Sequence, residues 1–131
     1  MRGMDDGPEW MRIGHRLGEI LVQMLSDPSS CRVIEIAGTP DRYVQWHGEA
    51  DGEFYAEASS GRYGDGPLVT PTQAAALTRL GWDAPFTGWG KDDVLNYSKH
   101  WLPPLVPYDI VRLTVATLRD VFGAGPHDLN F

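Results

Sequence analysis

Cysteine is almost absent from this chain. The single thiol, Cys31, excludes an internal disulfide framework, so the fold must stand on its apolar core. Runs of cations are missing as well. Lys and Arg total 11 against 18 Asp and Glu, a net charge of -7, and without clustered cations a phosphate backbone has no electrostatic footing. No apolar run approaches the roughly 20 residues of a membrane span, and no charged-then-apolar leader precedes a small-residue cleavage site. These absences predict a cytoplasmic protein with neither nucleic acid nor membrane as partner. A chain of 131 residues is expected to form one domain over 1–131, residues 1–5 frayed, burying about two thirds of its unfolded surface.

Catalytic and metal signatures are also lacking. His15, His47, His100 and His127 are spread over the chain, none at the close spacing of a zinc site. The acidic loop Glu49-Ala50-Asp51-Gly52-Glu53 is too short for a calcium loop. Ser59-Ser60-Gly61 is not a nucleophile elbow, and the glycines up to Pro67 lack the order of a phosphate-binding loop. Arg32 adjoins Cys31, but neighbouring strand residues point to opposite faces, so the thiol gains no cationic partner from it. The expectation is a protein that is not an enzyme and holds no cofactor or metal.

What is present is a run of three strands over residues 31–60, rich in β-branched and aromatic residues and punctuated by turn formers at 38–41 and 48–52. Pairing Ile36 with Val44 and Ile34 with Trp46, then Trp46 with Phe54 and Val44 with Ala56, gives two hairpins of common loop length. The period of two then puts Ile34, Ile36, Val44, Trp46, Phe54, Ala56 and Ala58 on one face, the core face. Glu35, Tyr43, Gln45, His47, Glu53, Tyr55 and Glu57 fall on the other, with His47 opposite Glu53, Gln45 opposite Tyr55 and Tyr43 opposite Glu57. This odd-numbered face reads either as a contact surface or as an ordinary solvated one. Tyr43, Gln45, His47, Tyr55 and Glu57 form the centre of the candidate patch, and Glu35 and Glu53 its edge, because tyrosine offers broad apolar area with a polar tip.

Helices flank the meander. An N-terminal helix is expected from about Asp6-Gly7-Pro8-Glu9, capped by Asp6, with Ile13, Leu17, Ile20, Leu21 and Met24 as its apolar stripe. Thr70-Pro71-Thr72-Gln73 is a capping box opening a short helix that Gly81 closes. Ser59 to Pro67 between them reads as a connector, the alternative being the rim of a groove. A further strand is expected near Val94–Trp101, with Trp82 in a short extended piece; Trp82, Trp89 and Trp101 either pad the core or line a cleft. A long last helix runs from Pro107 to Gly123 on Ile110, Val111, Leu113, Val115, Leu118, Val121 and Phe122, and Leu129 and Phe131 are placed to dock the tail. The fold class is α+β: N-terminal helix, three-stranded antiparallel meander, short helix, one or two further strands, long C-terminal helix, with helices on one face of the sheet.

That order resembles the peptide-binding chaperone superfamily of type III secretion chaperones and YbjN-like proteins (TY-Chap). The wording of Thr70-Pro71-Thr72-Gln73, Leu80-Gly81-Trp82-Asp83-Ala84-Pro85, Asn96-Tyr97-Ser98-Lys99-His100-Trp101 and Leu118-Arg119-Asp120-Val121-Phe122-Gly123 is similar to its actinobacterial members. Thr87 to Asp93 reads as an insertion before Asn96, and Ser98 stands where a bulky aromatic is expected. The resemblance implies a non-enzymatic protein that holds a polypeptide client against a sheet face or an apolar groove, often as a homodimer. A second reading, an immunity protein neutralising a basic toxin, fits the small size and acidity equally well.

Overall fold

The structure, a computed structural model, describes residues 7–27, 29–61, 68–85 and 95–131. Helix α1 spans Pro8–Leu25, strands β1, β2 and β3 span Cys31–Ile36, Thr39–Gly48 and Phe54–Ala58, and α2 spans Pro71–Leu80. Then come β4 (Tyr97–Trp101), α3 (Pro107–Ala116), a π-helical turn over Thr117–Val121, and a short β5 (Leu129–Asn130). The five strands form one antiparallel sheet in the order β4-β3-β2-β1-β5. The α+β class, the element order and the placement of the helices on one face all agree with the expectation.

The core is the even-numbered face. Ile34, Val44, Trp46, Phe54 and Ala58 are fully enclosed and Ala56 nearly so; each large side chain there contributes about 1.5–3 kcal/mol of burial. Leu17, Ile20, Leu21 and Met24 of α1 and Ile110, Val111 and Val115 of α3 close over them. The indole N–H of Trp46 donates to Thr114 Oγ1 at 3.1 Å, and that of Trp82 to Thr117 Oγ1 at 2.9 Å. Each large ring is thus wedged under a helix with its polar atom satisfied. Trp82 pads the core; Trp101 is half-buried against Phe54 with ring centroids 6.0 Å apart. Trp89 lies outside the described residues.

The pairing register differs from expectation by two residues while keeping its parity. Ile34 pairs with Val44 and Arg32 with Trp46, and the ladder jumps from Glu35↔Tyr43 to Ile36↔Thr39. The turn at Ala37-Gly38, with Gly38 at φ 81°, is shorter than the loop with its tip at Thr39, Pro40 and Asp41 that pairing Ile36 with Val44 implies, and residues 40–42 take up the irregularity. On the other side Trp46 pairs with Ala56 and Val44 with Ala58, leaving Glu49 to Glu53 as the loop. A slip of two leaves every side chain on its face and changes only its neighbour.

Local details also differ. Gly7, at φ 99° and without a side-chain cap bond, precedes α1 where Asp6 was expected; Asp6 lies outside the described residues. Trp10 and Gly14 are buried on α1, while Ile13 is only half-buried. Strand β4 opens at Tyr97 rather than Val94, and Trp82 leads into a bridge in which Asp83 and Ser98 exchange both main-chain hydrogen bonds. The last helix changes pitch at Thr117, where Phe122 N–H reaches Thr117 C=O five residues back. The capping box is present as predicted, Gln73 N–H donating to Thr70 Oγ1 and Thr70 N–H to Gln73 Oε1, and Gly81 ends α2 at φ 109°. The tail docks: Leu129 pairs with Ile36, and Leu129 and Phe131 pack against the core.

Candidate functional site

The seven candidate residues share the odd face, each half-buried. Strand alternation brings six of them together, in three ranks across the sheet, while Glu53 stands in the loop just before β3 and meets the face through His100. In the first, His47 lies opposite Tyr55, and Tyr55 opposite His100 of β4. Their rings are 5.7 Å and 6.3 Å apart by centroid, the second pair edge to face. In the second, Gln45 faces Glu57, and Glu57 faces Ser98. In the third, Glu35 faces Tyr43.

The expected partner of His47, Glu53, binds elsewhere: its Oε1 is 2.7 Å from His100 Nε2. Glu57 approaches His47 instead, with 3.9 Å between Nε2 and Oε2, too long for a hydrogen bond. His47 Nε2 is shielded from solvent and has no hydrogen-bond partner. The expected Gln45–Tyr55 and Tyr43–Glu57 pairings are likewise replaced. Tyr43 and Glu57 nevertheless meet through a third residue. Buried Asn96 donates from Nδ2 to Tyr43 Oη at 3.0 Å and to Glu57 Oε1 at 3.1 Å, while its Oδ1 accepts the Ser60 N–H at 3.0 Å. Both donors and one acceptor position of the buried amide are thus engaged, and Ser60 Oγ, which donates to Leu95 C=O at 2.7 Å, also lies 3.3 Å from Oδ1. Gln45 Nε2 reaches Cys31 Sγ at 3.3 Å, which puts the exposed thiol at the margin of the same face.

A second depression lies on the helical side. It encloses about 1590 Å³ between the outer surfaces of α1 and α3 and the end of β4, with Val22, Leu80, Trp101, Tyr108 and Arg112 among its walls. Val22 and Tyr108 are each more than half exposed. Among the described residues no group of three or more His, Cys, Asp or Glu could hold a metal ion, and no described helix is long and apolar enough to cross a membrane.

A family model described as "T3SS (YopN, CesT) and YbjN peptide-binding chaperone 3", TY-Chap3, matches residues 5–131. The chain belongs to the TY-Chap3 family. No curated protein and no solved structure matches it. Membership makes this TY-Chap3 chain a peptide-binding, chaperone-like module with a polypeptide as the implied partner, and it points away from catalysis.

Two residues of the TY-Chap3 odd face escape a reading of the sequence, His100 and Asn96. His100 could have been found: once β4 is laid antiparallel beside β3, Ser98 and His100 take the parity of Glu57 and Tyr55. Ser98, read as a departure from the family wording, is small because it sits opposite Glu57 and carries the bridge to Asp83. Asn96 gives no local signal, since its partners lie 36 to 53 residues away.

Proposed function

We propose that this chain binds an extended polypeptide, without catalysis, across the odd face of its sheet. Tyr43, Gln45, His47, Tyr55 and Glu57 form the centre of the contact and Glu35 and Glu53 its edge. The observation that carries the reading is the sorting of side chains: Trp46 and Phe54 are sealed under helices, whereas Tyr43 and Tyr55 stand half-buried on the opposite face. Half-buried tyrosines held by neighbours lose little freedom on binding, so their area is available at small entropic cost. Asn96 adds preorganisation by fixing Tyr43 and Glu57 before a partner arrives.

The test is affinity capture of the co-purified client by wild-type chain and by a Tyr43→Ala/Tyr55→Ala variant with native circular dichroism. Loss of at least tenfold in affinity is expected. Equal capture by both proteins refutes the sheet face as the contact surface.

A further inference from the structure

The odd face has a charge character that the core face and the helices do not share. Glu35, Glu53 and Glu57 project from it, and none of the described Lys or Arg residues does. Arg12, Arg16, Arg79, Arg112 and Arg119 belong to helices or the π-helical turn. Arg32 pairs with Trp46 and Lys99 with Ala56, so both follow core-face parity, and the guanidinium of Arg42 lies 5.8 Å from the centroid of the Phe122 ring. The face therefore combines carboxylates with the rings of Tyr43 and Tyr55. These are the two groups that attract a guanidinium or ammonium, the first by charge and hydrogen bonding, the second through the ring quadrupole.

A second observation points to the same ligand. Glu57 is held at one oxygen by Asn96, while its Oε2 and His47 Nε2 stand 3.9 Å apart with no hydrogen bond between them. His47 Nε2 is without any hydrogen-bond partner. Glu57, one-fifth exposed, offers Oε2 to a donor N–H brought by a ligand, because a carboxylate oxygen only accepts and His47 does not occupy it; His47 Nε2 itself is shielded from solvent and lies out of a ligand's reach.

We propose that the odd face selects a cationic segment, an extended stretch of polypeptide carrying Arg or Lys at alternate positions, with one such side chain seated at Glu57 between Tyr43 and Tyr55. This rests on the sheet-face reading above and adds a partner chemistry to it. Alternation is required because side chains of an extended strand project to one side every second residue. The net charge of -7 speeds encounter with such a segment but does not place it.

The experiment uses three fluorescein-labelled nine-residue peptides with Thr and Val on one parity and Arg, Gln or Glu on the other, titrated by anisotropy with the full chain at low and physiological salt. The Arg peptide is expected to bind at least tenfold tighter than the Gln peptide, and the Glu peptide not to bind. Glu57→Gln, which keeps the Asn96 hydrogen bond, is expected to weaken the Arg peptide at least fivefold. Glu19→Gln on α1, an equal change in net charge, should leave it within twofold. Equal affinity for the three peptides, or equal loss in Glu57→Gln and Glu19→Gln, overturns the proposal. If peptide binding shows no charge preference yet disappears in Tyr43→Ala/Tyr55→Ala, the cationic selectivity falls while the sheet-face reading stands. Binding untouched by the tyrosine substitutions removes both.

Discussion

Asn96 Nδ2 donates to Glu57 Oε1 at 3.1 Å, tying a residue that enters β4 to the middle of β3. The same nitrogen reaches Tyr43 Oη, and Oδ1 is occupied by the Ser60 N–H. The amide cannot turn without stranding one of these partners, so two side chains of the candidate contact face are fixed by a buried residue that a partner need not touch.

Asn96→Ala removes the acceptor of a buried N–H and both donors at once. A loss of about 1–3 kcal/mol is expected from the stranded group, read as a lower urea midpoint with unchanged slope. A midpoint within error of wild type would mean that Ser60, Tyr43 and Glu57 find other partners.

Thr114 and Thr117 test how the helical layer is pinned to the rings beneath it. Thr114→Val leaves the fully buried Trp46 indole N–H without an acceptor, and Thr117→Val does the same for Trp82. Each is expected to cost about 1–3 kcal/mol by urea unfolding despite near-identical volume. Because the two threonines stand three residues apart on one continuous helix, the double variant should depart from the sum of the single losses.

The two ends of α2 offer a local comparison. Thr70→Ala deletes the acceptor for Gln73 N–H and should cost about 0.5–2 kcal/mol. Gly81→Ala forces a Cβ onto backbone at φ 109° and should destabilise as well, by about 1 kcal/mol or more. Thermal melts that rank either variant above wild type would contradict the capping geometry.

His100 and Glu53 form a short but exposed pair, with side chains 49% and 30% accessible. Solvent screening limits such a pair to less than about 1 kcal/mol. His100→Gln should therefore leave the melting curve nearly unchanged while altering peptide affinity, since His100 extends the rank that runs through Tyr55 and His47. Unchanged affinity would remove β4 from the contact face.

The division of the meander into two faces was legible because it depends only on parity: Val44, Trp46 and Phe54 cannot be exposed together without losing the core. Neighbour identities were not, because they depend on turn length, and Gly38 at φ 81° permits a tighter turn than Thr39-Pro40-Asp41 suggested. That shift of two gave Glu53 to His100 and Glu57 to the neighbourhood of His47. The π-helical turn at Thr117 has no Gly or Pro to announce it; Thr117 accepts from Trp82 and donates to Leu113 C=O, a tertiary demand invisible in helical periodicity. The groove beside Val22 and Tyr108 was equally hidden, since two helices distant in sequence build it.

The most direct measurement is the two-dimensional NMR spectrum of the labelled chain with and without its co-purified polypeptide client. The account predicts that the largest shift changes map to Tyr43, Gln45, His47, Tyr55, Glu57 and His100, with the helices quiet. Changes concentrated instead at Val22, Leu80, Tyr108 and Arg112 would contradict it, placing the client in the helical groove and leaving the sheet face a solvated surface.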